Sequence, residues 1–215
     1  MKEKDWTGNS TSVFANLGAS NHSKTEREEN DYYATDPQAV ELLLEKENFS
    51  HCIWECACGE GHISKVLQRH GYNVMSSDLI MRDWDLQYPE PVDFLKTNYI
   101  PTLTEEFHTD GYDIVTNAPY KYATEFVEHA MDLVKEGHKV AMLLKIQFLE
   151  TTKRRKLFKK YPPKTVWVFS KRINCAPNGN FEGCGSSATC YCWFVWEKGF
   201  QGKPTIDWIN DEEVH

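Results

Sequence analysis

From residue 52 onward, short apolar runs alternate with segments of helical spacing, and this alternation limits the chain to few folds. Glycine or asparagine turns separate the runs, and each run is short enough for a buried strand. Strand–helix alternation predicts an α/β fold with a doubly wound, mostly parallel sheet. An antiparallel hairpin is expected at one edge. The predicted strands are 52–57, 73–77, 112–116, 139–144, 165–169 and 189–196, and the helices between them are 62–70, 123–134 and about 150–160.

The 215 residues suit a single domain with additional terminal segments. Residues 1–30 are polar and predict a mobile arm, residues 31–200 the folded domain, and residues 201–215 a C-terminal tail. Asp36 is expected to cap a helix whose first residue is Pro37.

No apolar run approaches the 18 or so residues that a membrane span requires. Residues 1–6 (Met-Lys-Glu-Lys-Asp-Trp) lack the apolar stretch of a signal peptide, so we expect a cytoplasmic protein. Disulfides are rare there, which fits the odd number of seven cysteines.

The segment Glu55–Gly61 (Glu-Cys-Ala-Cys-Gly-Glu-Gly) lies where the first strand of this alternation ends and the next helix begins. Glycines at such a turn allow the backbone to approach a ligand, although two glycines often form only a turn. Ser64 replaces the third glycine of the dinucleotide-binding fingerprint, and no Gly-Lys-Ser/Thr follows. The segment therefore predicts a ligand-binding turn that is neither a dinucleotide fingerprint nor a P-loop.

Two aspartates further along the chain, Asp78 and Asp93, have carboxylates that could bind a ligand. Asp78 closes the strand 73–77, and its carboxylate can accept hydrogen bonds from ribose hydroxyls or cap its own turn. Asp93 can accept from an adenine amine, and the adjoining Phe94 can stack on an adenine ring. With the glycine turn upstream, we favour the ribose role for Asp78.

The strand 112–116 is followed by Asn117-Ala118-Pro119-Tyr120. The Asn117 amide oxygen and a backbone carbonyl can both accept from an exocyclic –NH₂ group, while Tyr120 offers a flat ring to an extruded base. Pro119 fixes the turn and directs the preceding carbonyl outward. The alternative is a simple β-turn, since these residue types are common in turns.

Together these motifs resemble the S-adenosylmethionine-dependent DNA N6-adenine methyltransferases, specifically small stand-alone enzymes of phages and mobile elements. The resemblance covers about residues 31–200 and implies a Rossmann-like methyltransferase sheet with S-adenosyl-L-methionine as cofactor. It assigns catalysis to Asn117, Ala118, Pro119 and Tyr120. It assigns cofactor binding to Tyr33, Thr35, Pro37, Glu55, Ala57, Gly59, Gly61, Asp78, Leu79, Asp93, Phe94 and Asn117.

The resemblance implies direct attack of the N6 amine of a flipped adenine on the cofactor's methyl group. The hallmark Asp/Asn/Ser-Pro-Pro-aromatic is altered, because Ala118 replaces the first proline, although its carbonyl remains. Because nothing large follows residue 200 in this sequence, we expect no separate target-recognition domain. Cytosine N4, an RNA base or a protein amide presents a similar planar –NH₂ group, and a catalytically weak nucleic-acid-binding protein is a further alternative.

The formal net charge of −8 is unevenly distributed. Residues 145–172 hold ten basic residues and one acid, a charge of +9, which leaves −17 elsewhere. Such a run is often only a solvated helix face, but beside a methyltransferase site it predicts a DNA-facing edge. The residues expected to bind nucleic acid are Lys145, Lys153, Arg154, Arg155, Lys171 and Arg172.

We expect DNA as the partner, no membrane association, and a monomer or weak dimer. Cys175, Cys184, Cys190 and Cys192 could be imagined as a zinc site, but their spacing lacks the usual Cys-x₂-Cys. No metal is therefore expected.

Overall fold

The computed structural model describes residues 33–82, 84–101, 105–177 and 189–210. The predicted arm 1–30, Cys184 and residues 211–215 of the predicted tail lie outside these ranges. The strands are β1 (Tyr33–Thr35), β2 (Cys52–Glu55), β3 (Asn73–Ser76), β4 (Asp113–Thr116), β5 (Lys139–Lys145), β6 (Thr165–Phe169), β7 (Cys175–Pro177), β8 (Tyr191–Glu197) and β9 (Thr205–Ile209). The α-helices are α1 (Pro37–Lys46), α2 (His62–Arg69), α3 (Glu106–Thr109), α4 (Ala123–Leu133) and α5 (Thr152–Lys160).

Within the described residues, seven strands form one sheet in the order β3-β2-β4-β5-β8-β6-β9. The pairs β2–β3, β2–β4, β4–β5 and β6–β9 are parallel, whereas β8 is antiparallel to both neighbours. This confirms the α/β prediction of a mostly parallel sheet with an antiparallel pair near one edge. The edge itself is β9, so residues 205–209 of the expected tail are a strand of the sheet.

Helices cover both faces of the sheet, as the doubly wound prediction requires. On one face, Trp54, Ile114 and Met142 pack with residues of α4 and α5. On the other face, Ile53, Val115 and Leu143 pack with residues of α1 and α2. The strands β2 and β4 are buried throughout, because a parallel sheet covered on both faces requires apolar residues on both.

The carboxyl ends of six strands and the amino end of β8 share one edge of the sheet, which we call the site edge. A second, two-stranded ribbon pairs β1 with β7 and places Thr35 opposite Cys175. The helix α1 begins directly after this ribbon. As predicted, Pro37 is its first residue, and the Asp36 Oδ1 atom accepts a hydrogen bond from the Gln38 amide at 3.0 Å.

Across the described residues, no helix is both long and apolar enough to span a membrane. No cluster of three or more histidine, cysteine or acidic side chains suited to a metal ion occurs in that part of the chain.

Candidate functional site

The side chain of Asn117 follows β4 at the site edge and is held by the β1 strand. Its Nδ2 atom donates to the Tyr33 carbonyl at 3.0 Å and to the Thr35 hydroxyl at 3.1 Å. Because both amide hydrogens are used, the remaining polar atom of the side chain is the Oδ1 acceptor. No described residue donates a hydrogen bond to this atom.

Around Asn117, the rest of the motif forms a tight turn. The Ala118 side chain is buried at 2% exposure, so its methyl group belongs to the core. Pro119 precedes a 3₁₀ turn, Tyr120–Tyr122, in which the Tyr122 amide donates to the Pro119 carbonyl at 2.9 Å. This turn is closed between Pro119 and Tyr122, and among the described residues no backbone hydrogen bond closes a β-turn across residues 117–120. The role expected for Asn117 stays a prediction.

The Tyr120 ring lies among other aromatic rings. Its centroid is 5.9 Å from that of Tyr33 and 6.0 Å from that of Tyr191. Burial raises the pKa of the Tyr120 hydroxyl well above its ordinary value. This hydroxyl has no hydrogen-bond partner among the described residues, and Cys175 lies close to it. Sequence patterns did not identify Tyr191 as a neighbour, although its register opposite Lys145 places it at the site edge.

The glycine turn and Asp78 are joined directly. The Asp78 Oδ2 atom accepts from the Gly59 amide at 2.8 Å, while Oδ1 accepts from the Ile80 amide at 2.9 Å and pairs with Arg82 at 3.3 Å. A carboxylate has about four lone-pair directions, so one remains for a ligand hydroxyl. Asp78 therefore caps its own turn, as the alternative interpretation predicted. Its two oxygens are not both free, although the ribose interpretation assumed that they were.

Glu55 and Ala57 approach the same turn from β2. Glu55 is 1% exposed and accepts hydrogen bonds from the Ser64 amide at 2.7 Å and from the Ser64 hydroxyl. This anchors the first turn of α2 to the end of β2 and leaves no exposed carboxylate for a cofactor. Ala57 is half-buried and packs against the core.

Trp84 was not identified from the sequence, because the stretch around it has no periodicity. A Cβ atom on Gly61 would lie 2.5 Å from the Trp84 ring, and Gly61 has a positive φ of 74°. The positive φ and the Trp84 ring both favour glycine at position 61, and the cofactor contact expected there stays a prediction. Leu79, the residue after Asp78, is 56% exposed at the site edge.

The placement of Phe94 corrects the stacking role expected for it. The ring is 2% exposed, packs edge-on against Trp54 at 5.2 Å, and lies tilted against Phe126 at 4.8 Å. A ring held in the core this way presents no face to a ligand. The neighbouring Asp93 is part-exposed, accepts from the Leu95 amide at 3.2 Å and forms an ion pair with Lys96 at 2.7 Å.

Basic residues lie on two sides of the site edge. Lys145 ends β5 with its Nζ atom 4.8 Å from the Tyr120 ring centroid, so it lies at the site and not on an outer surface. The helix α5 begins at this edge, where Lys153 pairs with Glu125 at 2.8 Å and Arg154 donates to the Gln147 carbonyl at 2.8 Å. Arg155, Lys171 and Arg172 are exposed, and the last two follow β6 at the same edge.

No protein-family model and no curated protein matches this sequence. Among solved structures, a Listeria monocytogenes protein assigned to the class I S-adenosylmethionine-dependent methyltransferases aligns with a TM-score of 0.53 and 14% identity, over 93% of this chain and 71% of that one. A Vibrio vulnificus protein assigned as the modification subunit of a type I restriction enzyme aligns with a TM-score of 0.57 and 12% identity, over 86% of this chain. This chain spans 48% of that subunit.

A predicted O-methyltransferase from Agrobacterium tumefaciens aligns with a TM-score of 0.53 and 11% identity, over 79% of this chain and 85% of that one. These likenesses show the fold, a Rossmann-like sheet that this chain shares with solved methyltransferase structures.

Proposed function

We propose that this protein transfers the methyl group of S-adenosylmethionine to the exocyclic N6 amine of adenine in DNA. The observation that carries the proposal is the orientation of Asn117 at the site edge of a methyltransferase fold. Its two amide hydrogens are engaged by Tyr33 and Thr35, so Oδ1 is the atom available to a target amine.

The Asn117 Oδ1 atom and the Ala118 carbonyl would each accept one hydrogen of the target amine. The lone pair of an aromatic amine is delocalised into its ring and is a weak nucleophile. Two fixed acceptors favour a pyramidal nitrogen, and they act most strongly as positive charge develops on it. The nitrogen would form a bond to the methyl carbon as the carbon–sulfur bond breaks, and the extra proton would leave the product amine for solvent.

The cofactor, when bound, supplies a methyl group that is already activated on a sulfonium sulfur, so the protein's task is to position the two reactants. The residues that fit it are Asp78, which keeps one lone-pair direction for a ribose hydroxyl, and the part-exposed carboxylate of Asp93. The exposed side chain of Leu79 offers an apolar contact beside Asp78. Phe94 and Glu55 are excluded from direct contact by their burial.

DNA as the acceptor is supported by the basic residues around the site edge and by the fold likeness to a restriction-modification subunit. The exposed residues Arg155, Lys171 and Arg172 would bind phosphates on either side of the target nucleotide. The acidic remainder of the chain disfavours contact elsewhere, which confines a polyanion to this edge.

The test is a transfer assay with radiolabelled S-adenosylmethionine offered separately to DNA, RNA and protein, followed by nucleoside analysis. The proposal expects label in DNA as N6-methyldeoxyadenosine. Label only in N4-methyldeoxycytidine, RNA or protein would reassign the acceptor while keeping the reaction. DNA binding without any transfer would indicate a catalytically silent binding protein and would overturn the proposal.

A further inference from the structure

The ammonium group of Lys145 lies against the ring that is proposed to stack on the target base. Lys145 is the last residue of β5, and its Nζ atom is 4.8 Å from the Tyr120 ring centroid. A lysine that only bound phosphates at the rim would extend outward into solvent. Here the charge lies over the Tyr120 ring instead.

The other neighbours of the Tyr120 ring are fixed in place. Tyr191 lies in β8 at 6% exposure, and Tyr33 lies in β1, which is paired with β7. No described residue forms a hydrogen bond or an ion pair with the Lys145 Nζ atom, which lies over the Tyr120 ring. A base that stacks on Tyr120 would therefore most readily take the place of Lys145.

The ammonium and a base would bind the Tyr120 ring with similar strength, so one can replace the other. An ammonium on a tyrosine face and a nucleobase on the same face have interaction energies of the same order. The lysine stem has four flexible carbons, so the ammonium can swing away from the ring without any backbone change. Once it leaves, it requires another anionic or acceptor partner, and the phosphates that flank a flipped nucleotide are the nearest ones that the substrate supplies.

We infer that Lys145 couples base entry to phosphate binding: its ammonium leaves the Tyr120 ring when the target base enters and then pairs with a phosphate beside the flipped nucleotide. The inference rests on the proposed function and specifies how the same site is regulated. Until a base enters, Lys145 keeps the ring covered, so it is a positioning residue whose phosphate contact exists only in the flipped complex.

The salt dependence of DNA binding tests this inference. The wild-type protein is first used to locate a methylated site by sequencing the product. Affinities are then measured across a salt titration, with S-adenosylhomocysteine present, for a duplex that carries the site and for a matched duplex that lacks it. Each phosphate contact contributes about 0.9 to the slope of log affinity against log salt.

Lys145→Met should lower the magnitude of the slope by about one on the site-containing duplex and leave it unchanged on the matched duplex. Lys145→Arg keeps the charge and should restore the slope. Lys203→Met removes an equal charge from an exposed residue just before β9, at the opposite edge, and should change neither slope.

An equal loss of slope on both duplexes would make Lys145 an ordinary phosphate contact, and no loss on either would make its role structural. Each of these results overturns the inference while the methyl transfer already observed stands. A wild-type protein that methylates no DNA removes the proposed function, and this inference with it.

Discussion

The side-chain amide of Asn117 and the main-chain carbonyl of Tyr33 are joined by a 3.0 Å hydrogen bond across 84 residues of sequence. The bond links the turn after β4 to the two-stranded ribbon of β1 and β7. Because Thr35 in the same ribbon accepts the second amide hydrogen, the ribbon sets which atom of Asn117 faces the site. The segment before α1 therefore contributes to the orientation of the Asn117 side chain.

Asn117→Ala removes the acceptor and should lower the rate of methyl transfer on the order of 10²–10³-fold, the usual cost of losing one fixed electrostatic contact to a transition state. Cofactor affinity, measured by calorimetry, should stay close to that of the wild type because Asp78 is untouched. Transfer at the wild-type rate would contradict the role given to Asn117.

Thr35→Val should lower the transfer rate by about tenfold, since it leaves one Asn117 amide hydrogen without its partner and frees the amide to rotate. Thr35 is 2% exposed, and valine has a similar volume, so the fold should tolerate the change. Thr35→Ser keeps the hydroxyl and should retain most of the activity. The rate constant at saturating substrate is the quantity to compare, and equal rates for the valine and serine variants would refute this positioning role.

Arg155→Gln should weaken DNA binding and lower the magnitude of its salt slope by about one, because the exposed guanidinium lies near the start of α5 at the site edge. Arg154 is a less clean choice, since its guanidinium also donates to the Gln147 carbonyl and lies 4.7 Å from the centre of the Phe148 ring. Binding of Arg155→Gln is measured by fluorescence anisotropy across a salt series. An unchanged slope would exclude a phosphate contact at this residue.

The central strands were predictable because they are short, mostly apolar runs. Tyr112–Thr116 and Lys139–Leu144 were each placed to within one residue at either end, since a strand buried on both faces admits few polar residues. The positions of Asp78 and Asn117 followed from the same pattern, since Asn117 directly follows β4 and Asp78 lies two residues after the end of β3.

The partners of the site residues were not predictable, because they depend on packing between distant segments. Phe94 was expected at a ligand, but the aromatic residues Trp54 and Phe126 enclose it in the core. The packing of the Trp84 ring against Gly61 was not predictable, because the sequence around Trp84 has no periodic pattern. The strand β9 was not predicted because it is mostly exposed and has no continuous apolar run. Ile206 and Trp208 are each about half accessible.

Gly61→Ala should destabilise the protein more than Gly71→Ala does. Both glycines have a positive φ, 74° and 83°, so both alanines carry the same backbone strain of about 1–2 kcal/mol. Only at Gly61 does the new Cβ meet another group, the Trp84 ring at 2.5 Å, whereas nothing lies within 4 Å of it at Gly71. The difference in free energy of unfolding between the two variants, measured in urea, gives the cost of the contact with Trp84. Equal losses of stability would show that the Trp84 ring moves aside at no cost in free energy.

Glu55→Gln should remove a pH dependence of stability. Burial raises the pKa of the Glu55 carboxyl well above its ordinary value of 4.5, so the folded protein keeps a proton that the unfolded chain has already lost. The free energy of unfolding therefore falls as pH rises from about 4.5 to the raised pKa, by up to about 1.4 kcal/mol per pH unit. Glutamine does not titrate, and its amide oxygen can still accept from the Ser64 amide.

Chemical denaturation of wild type and Glu55→Gln between pH 5 and pH 8 measures this difference, with buffers matched in ionic strength. The stability of the variant relative to the wild type should increase steadily with pH, because the wild type alone has to bury a carboxylate or keep it protonated. A difference that stays constant across this range would mean that Glu55 has the same pKa in the folded and unfolded chains.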